Sequence, residues 1–333
     1  DSAEVWAKVA AGGFSPQNFS LGGAWVPWYN LHKTFAGLRD AWIIGHNEQA
    51  RDVFIRLTDW CDGLLAGLSD EDVEIMLEAE HGGMTETLAD AFALTGDEKY
   101  LRLAQRFTHH AVLDPLIRHD DDLTGKHANT QIPKITGFAR VAELGGNPGW
   151  DDAAAFFWDT VVRRRSLAFG GNSVREHFNP TDDFSALVES REGPESCNTY
   201  NMLRLTEALY RREGGARYAD FYERALFNHI LSTQHPVHGG LVYFTPVRPR
   251  HYRVYSQPEK CFWCCVGTGI ENHGKFGRFI YAYDRDDGLY VNLFIASQLD
   301  AGNLGLRLRQ ETGFPDEEAT TLILSLEASR NFA

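Results

Sequence analysis

Apolar residues recur at helical spacing from about residue 30 to residue 235. Met84, Leu88, Ala91 and Phe92 lie at positions i, i+4, i+7 and i+8, which places them on one face of a helix. Gly96 then interrupts the pattern, and a second run of apolar residues with the same spacing follows. This segment is therefore predicted to form two antiparallel helices joined by a short turn.

The same arrangement of helix, glycine turn and helix occurs four times. The turns are centred on Gly45, Gly96, Gly145 and Gly214, which are 51, 49 and 69 residues apart. A period of about 50 residues is typical of a helix pair plus a connecting loop, and such pairs stack into a solenoid or close into an α/α barrel. The sequence therefore predicts a mainly α fold.

Loops rich in glycine, proline and histidine separate these hairpins. They cover residues 21–32, 78–83, 119–134 and 170–197. If each repeat is one hairpin, these loops lie at the same end of the barrel. Long loops on a rigid scaffold are common places for functional sites, so we expect the site there.

The pattern changes after residue 240. Residues 241–244 and 252–255 predict a short β-hairpin at about 240–256, and one more helix is expected at 266–282. Residues 288–295, 304–308 and 320–326 have the composition of strands. We therefore predict a helical domain over residues 1–284 and the beginning of a β-domain over residues 285–333.

Composition and charge exclude several classes of partner. Of the 333 residues, 43% are hydrophobic and 23% are charged, as in ordinary globular proteins. Lys and Arg number 32 against 46 Asp and Glu, which gives a net charge of −14. This charge argues against nucleic-acid partners and anionic membranes. No apolar stretch approaches the ~20 residues of a membrane-spanning helix.

The five cysteines do not form a pattern of disulfides. They lie at positions 61, 197, 261, 264 and 265, an odd number that includes an adjacent pair. A metal site or a nucleophile in a reducing environment explains this spacing better than disulfides do. Reduced thiols favour a cytoplasmic location, with a periplasmic role in polysaccharide breakdown as the alternative.

A metal site is the leading interpretation of the cysteine cluster. Cys197 is expected at the N-terminus of a helix, with Glu195 two residues earlier, and both could join Cys264 and Cys265 around a zinc ion. A set that uses Cys261 in place of Glu195 is the competing choice, because Cys261 and Cys264 also have zinc-type spacing. Buried, inert thiols and a purely structural zinc site are the further alternatives.

Four other polar residues lie in the predicted loops. Glu176 follows a Gly-Gly break, and by itself it would be interpreted as a solvated carboxylate. His32, His81 and His127 lie at helix boundaries, where a lone histidine is more often a cap than a ligand. Because they occupy similar positions in the repeat, we expect them to converge at one end of the barrel.

Several motifs together resemble glycoside hydrolase family 127, and family 146 is also similar. They are Asn30-Leu31-His32-Lys33, Lys126-His127-Ala128-Asn129-Thr130-Gln131, Gly193-Pro194-Glu195-Ser196-Cys197-Asn198 and Trp263-Cys264-Cys265. The resemblance implies a β-L-arabinofuranosidase with an (α/α)6 barrel followed by β-sandwich domains. The first barrel helices of the family have no counterpart here, so we expect an incomplete barrel of about nine helices instead of twelve.

The resemblance also implies a role for each candidate residue. It implies a retaining exo-glycosidase that removes terminal β-L-arabinofuranose, or a related sugar, from an arabinose-containing oligosaccharide or glycan. A non-catalytic, zinc-stabilised helical scaffold that binds carbohydrate is the alternative. The implied roles are Cys264 as the zinc-bound nucleophile, Glu195, Cys197 and Cys265 as the other zinc ligands, Glu176 as the acid/base, and His32, His81, His127 and Tyr243 as sugar-binding residues. An acid/base must be protonated at the start, so we expect a raised pKa for Glu176.

Overall fold

The computed structural model describes residues 2–284 and 288–328. These residues contain fourteen α-helices. They are α1 Ser2–Ala10, α2 Pro27–Ile43, α3 Glu48–Leu65, α4 Asp70–Met76, α5 Met84–Thr95, α6 Glu98–Arg106, α7 His110–Ile117, α8 Ala128–Gly145, α9 Pro148–Arg164, α10 Ser185–Glu189, α11 Ser196–Glu213, α12 Ala216–Ala225, α13 Cys264–Lys275 and α14 Gly277–Ile280.

The four predicted glycine turns are confirmed. They join α2 to α3, α5 to α6, α8 to α9 and α11 to α12. Gly96 ends α5 in the left-handed conformation, with a φ of 76°, which glycine adopts without the steric strain that a side chain would add. The Asn47 side chain accepts a hydrogen bond from the Ala50 amide at the start of α3, and Asp97 caps α6 in the same way.

The hairpins are arranged in two layers. Helices α2, α5, α8, α11 and α13 lie side by side in that order, and α3, α6, α9 and α12 pack on the outside of their partners. Because each outer helix carries the chain back, the inner helices all begin at the same end. The predicted class, a helical α/α-barrel arrangement followed by β-structure, is therefore confirmed.

The fourteen helices exceed the nine expected from the sequence. Five of them, with four to nine residues each, lie outside the two layers: α1, α4, α7, α10 and α14. A helix of one or two turns has too few apolar positions to show a period, so the sequence pattern does not reveal it. The remaining nine form the two layers described above.

Ion pairs connect the inner helices on the side that faces the cavity between these helices. Glu86 of α5 pairs with Arg204 of α11 at 2.5 Å and with Arg39 of α2 at 3.6 Å. Asp90, one turn further along α5, pairs with Arg39 at 2.6 Å and with Arg140 of α8 at 2.7 Å. This network connects four of the five inner helices.

The strands pair in antiparallel fashion, and all except the first two lie in the C-terminal part. The described strands are β1 Ser20–Leu21, β2 Ala24–Trp25, β3 Tyr281–Tyr283, β4 Leu289–Val291, β5 Ser297–Ala301, β6 Leu306–Thr312 and β7 Thr320–Leu326. β3 pairs with β4, and β5, β6 and β7 form a sheet in that order. The predicted strand at 320–326 matches β7, whereas β5 was not predicted because its sequence is largely polar.

Three details of the predicted organisation differ or lie outside the described part. The hairpin expected at 240–256 is reduced to a single bridge between Val242 and Tyr255. The predicted domain boundary at 284/285 falls at the edge of residues 285–287, which lie outside the described residues, as do residues 329–333. Within residues 2–284 and 288–328, no helix has both the length and the apolar character that crossing a bilayer requires.

Candidate active site

The candidate residues lie where the inner helices begin. Glu195 is the N-cap of α11 and Cys197 is the second residue of that helix. Cys264 and Cys265 are the first two residues of α13, and His127 is the N-cap of α8. The N-terminus of a helix carries partial positive charge and free amide groups, so thiolates and carboxylates are stabilised there.

Four of these side chains form one compact cluster. The ligand atoms of Glu195, Cys197, Cys264 and Cys265 all lie within 4.8 Å of one another. Glu195 Oε1 is 3.6 Å from both Cys264 Sγ and Cys265 Sγ. The Sγ atoms of Cys264 and Cys265 are 3.9 Å apart, and those of Cys197 and Cys265 are 3.2 Å apart. The structure thus brings together the whole predicted metal-binding set.

Backbone pairing fixes the relative position of two parts of this site. The Ser196 amide donates to the Tyr243 carbonyl at 3.0 Å, and the Thr245 amide donates to the Pro194 carbonyl at 2.9 Å. Gly193 permits this close approach, because a Cβ atom at that position would lie 2.4 Å from the Thr245 carbonyl oxygen. The segment before α11 is thereby held against the segment that carries Tyr243.

The protein groups around the cluster do not stabilise the charged forms of its buried acidic side chains. Burial raises the pKa of Glu195 well above its ordinary value, and the nearby Cys264 adds to this effect. Burial likewise raises the pKa of the Cys197 and Cys265 thiols, whereas hydrogen bonds from those two thiols lower the pKa of Cys264. Glu195 Oε2 is buried and has no hydrogen-bond partner among the described residues. A cation would complete this arrangement.

The members of the cluster differ in their accessibility. Glu195, Cys197 and Cys265 are buried, whereas Cys264 is exposed. Cys261 is partly buried and is not part of the cluster, so among the described residues the competing set with Cys261 in place of Glu195 is not formed. Cys61 belongs to α3 and is fully buried in the core.

Glu176 lies in a turn with unusual backbone geometry. Ser173, Arg175 and Glu176 all have positive φ angles, between 49° and 75°. Such conformations are costly for residues other than glycine and tend to occur at functional sites. The Glu176 carboxylate accepts a hydrogen bond from the Tyr243 hydroxyl, and its Oε2 lies 3.5 Å from His127 Nε2. The structure therefore places three predicted site residues in contact.

The expected raised pKa of Glu176 is wrong for this state of the protein. The interaction with His127 lowers the pKa of Glu176, and the hydrogen bond from Tyr243 acts in the same direction. Burial opposes them but is weaker, because the side chain is only partly buried. The sequence could not show that two donors would converge on the carboxylate.

The three histidines are oriented by backbone groups. The Thr130 amide donates to His127 Nδ1 at 3.2 Å, so in the neutral ring the proton lies on Nε2, which faces Glu176. The Gly83 amide donates to His32 Nδ1 at 3.1 Å in the same way. His81 is completely buried, with Nδ1 3.1 Å from the Ala79 carbonyl oxygen and Nε2 without a partner among the described residues. Burial lowers the pKa of both His32 and His81 and keeps them neutral.

Two residues near the site were not among the predicted site residues. Glu80 precedes His81, and it is largely buried within electrostatic range of His127, Cys264 and Glu176, with burial raising its pKa to about 7. Thr268 places its hydroxyl oxygen 3.2 Å from Cys197 Sγ. Glu80 could have been identified from its position in the same loop as His81. Thr268 could have been identified from its position one helical turn after Cys264.

Comparison with known families agrees with this architecture. A sequence model of the catalytic domain of GH127 β-L-arabinofuranosidases matches residues 6–278, and a model of the GH127 middle domain matches residues 288–333. The fold and these matches define an α/α-barrel glycoside hydrolase. Within that class, the chain belongs to glycoside hydrolase family 127.

Individual proteins are similar to this chain in sequence or in fold. A non-reducing-end β-L-arabinofuranosidase from Bifidobacterium longum subsp. longum is 27% identical, over 85% of this chain and 49% of that protein. The structure of a GH127 β-L-arabinofuranosidase from Geobacillus stearothermophilus T6 is similar with a TM-score of 0.70 and 19% identity, over 90% of this chain and 53% of that one. A further structure described only as a glycoside hydrolase has a TM-score of 0.71 and 16% identity, over 99% of this chain and 60% of that one. The chain thus spans about half the length of the first two relatives.

Proposed function

We propose that this chain is the catalytic part of a retaining exo-glycosidase that removes terminal β-L-arabinofuranose with Cys264 as nucleophile and Glu176 as acid/base. The observation that carries the proposal is that Cys264 is exposed while the other three members of its cluster are buried. Cys264 is therefore the member of the cluster that a substrate can approach from solvent. A closed structural metal site has no need for one accessible thiol.

The donor set suits zinc. Three thiolates and one carboxylate are ligands that zinc prefers, and four is its usual coordination number in proteins. A tetrahedral ion with Zn–S distances of ~2.3 Å separates two sulfurs by roughly 3.8 Å and a sulfur from an oxygen by roughly 3.6 Å. The Cys264–Cys265 separation of 3.9 Å and the two Glu195–sulfur distances of 3.6 Å agree with this geometry. The Cys197–Cys265 separation of 3.2 Å would have to widen.

The reaction divides into two displacements at the anomeric carbon. The Cys264 thiolate attacks this carbon and forms a carbon–sulfur bond while the glycosidic bond breaks, and Glu176 gives its proton to the departing oxygen. Glu176 then takes a proton from water, whose oxygen displaces the sulfur and releases the sugar with its original anomeric configuration. When bound, zinc supports this chemistry by keeping the thiols deprotonated and by stabilising a thiolate leaving group.

The residues around Glu176 and Cys264 supply hydrogen bonds for a sugar. His32 Nδ1 accepts from a backbone amide, which leaves its Nε2 hydrogen available as a donor, whereas His127 directs its Nε2 at Glu176. Tyr243 already contacts Glu176, and we assign it together with His81 to the same sugar-binding group. The choice of L-arabinofuranose rests on the family and on the named activity of the bifidobacterial relative.

Hydrolysis of a panel of p-nitrophenyl glycosides tests this proposal. We expect the purified chain to release p-nitrophenol from the β-L-arabinofuranoside in preference to the α-L-arabinofuranoside and to pyranosides. A chelator should remove the activity and zinc should restore it. Zinc binding without hydrolysis of any substrate in the panel would instead support the carbohydrate-binding scaffold.

A further inference from the structure

A surface cavity adjoins the turn that carries Glu176. Its volume is about 680 Å³. It is bounded by the turn itself, by α10 and the residues after it, and by the segment that follows Tyr243. The lining residues are Val174, Arg175, Ala186, Val188, Glu189, Ser190, Arg248 and Pro249.

The charge of this cavity is opposite to that of the whole chain. Arg175 and Arg248 both line it, and neither side chain forms an ion pair or a hydrogen bond with the described residues. Glu189 is the one carboxylate among the lining residues. Two further arginines, Arg250 and Arg253, follow closely in the sequence of a chain with a net charge of −14. Unpaired guanidinium groups beside an apolar surface are well suited to a carboxylate on a sugar-sized ligand.

The position of the cavity relative to Glu176 decides which part of a substrate the cavity can accept. In a retaining glycosidase the acid protonates the leaving-group oxygen, so the aglycone lies on the side of the acid and the nucleophile on the opposite side. Arg175 immediately precedes Glu176, and its amide donates to the Glu192 carbonyl at 2.9 Å, which ties the turn to the segment after α10. The turn that carries the acid therefore also supplies two residues of the cavity lining, Val174 and Arg175.

We infer that this cavity is the subsite for the aglycone and that it selects a glycan residue bearing a carboxylate next to the terminal arabinofuranose. The inference rests on the proposed function, because it uses Glu176 as the acid. Val174, Val188 and Pro249 cover the apolar face of that residue, and Arg175 and Arg248 bind its carboxylate. Neutral aglycones fit the same space without the ion pairs.

The test compares two substrates that differ in one charge. We choose 4-carboxyphenyl and 4-carbamoylphenyl β-L-arabinofuranoside, which have similar size. The neutral carboxamide withdraws electrons more strongly than the ionised carboxylate and makes the better leaving group, so a faster reaction of the carboxylate compound would have to come from binding. We expect kcat/KM to be about 3- to 10-fold higher for the carboxylate, the range of one or two partly exposed ion pairs, and to fall at high salt. Arg248→Gln should remove most of this preference, whereas Arg102→Gln, which changes an exposed arginine of the outer helix α6, should keep it.

A binding measurement separates this inference from the proposed function. Calorimetry with the Glu176→Gln variant compares the affinities for the two compounds without requiring hydrolysis. If both compounds are hydrolysed with equal kcat/KM and Arg248→Gln changes nothing, the subsite assignment is wrong and the glycosidase stands. If neither is hydrolysed but the carboxylate binds more tightly in a manner that depends on Arg248, the cavity is a carboxylate-binding site, but the proposed function fails and with it the assignment of the cavity to an aglycone. Neither hydrolysis nor binding would overturn both.

Discussion

Cys264 differs from its three neighbours in both accessibility and acidity. Its thiol is exposed, and hydrogen bonds from Cys197 and Cys265 lower its pKa, so it holds the negative charge that the buried thiols resist. A thiolate is the reactive form of cysteine. These two properties together single out this sulfur as the nucleophile.

Replacing Cys264 by serine should therefore remove catalysis without unfolding the protein. We expect kcat on an arabinofuranoside to fall by about 10³-fold or more, because the residue supplies the attacking atom. The far-ultraviolet circular dichroism spectrum should remain unchanged. Cys261→Ser is the matched control, because Cys261 lies three residues away and outside the cluster. Equal activity of the two variants would exclude Cys264 as the nucleophile.

The contact between Tyr243 and Glu176 leads to a prediction about pH. The hydroxyl donates to the carboxylate and stabilises its charged form, which helps to lower the pKa of Glu176. In Tyr243→Phe this donor is lost, so the pKa of Glu176 rises. Glu176 must be protonated to act as the acid, and the descending limb of the kcat/KM profile should therefore move to higher pH. Movement to lower pH, or no movement in a variant that still turns over, would contradict this account of Glu176.

At the scale of the elements, the ion-pair network holds the inner helices in register. Burial alone would raise the pKa of Glu86, but the guanidinium groups of Arg204 and Arg39 outweigh it and lower the pKa below its ordinary value. The side chains of all three residues are mostly buried. Loss of one partner would leave the others as poorly compensated charges inside the barrel.

Glu86→Gln should thus destabilise the fold without changing Cys264, the candidate nucleophile. We expect the free energy of unfolding at pH 7 to fall by about 3 kcal/mol, as measured by urea denaturation. Because the native pKa of Glu86 is lowered, its contribution is fully present above the unfolded pKa of about 4.3 and is lost as pH falls through the native pKa. The difference between variant and wild type should accordingly shrink below about pH 4.3.

Glu48→Gln provides the comparison for this measurement. Glu48 forms an exposed pair with Arg51 on α3, with 73% of the glutamate side chain exposed. Its replacement should change the unfolding free energy by less than about 0.5 kcal/mol. Similar effects of the two substitutions would show that the network inside the barrel contributes no more than a surface pair.

At the scale of the whole molecule, most of the fold could be predicted from the repeat of helix, glycine turn and helix. Gly45, Gly96, Gly145 and Gly214 marked the turns because glycine is common where helices end. At the end of α8 the left-handed residue is the next one, Gly146. Short helices in the connections had no such signal. The strand β5 was missed because a strand with few apolar residues looks like a loop.

The sequence predicted which residues form the metal-binding cluster, but it did not predict the details of the site. The motifs predicted that Glu195 and Cys197 would meet the pair Cys264 and Cys265, and they do. Spacing alone could not exclude Cys261, because its exclusion depends on how the chain runs before α13. The lowered pKa of Glu176 depends on donors from two distant segments, and no local pattern could have shown it.

The stereochemistry of the first product tests the central claim most directly. With methanol as acceptor in place of water, the transferred sugar is trapped as a methyl glycoside, which does not change its anomeric configuration in solution. If Cys264 is the nucleophile and two displacements occur, proton NMR of the first-formed product from a β-L-arabinofuranoside should show the methyl β-L-arabinofuranoside. Formation of the α-anomer would mean a single displacement and would rule out a covalent intermediate on Cys264.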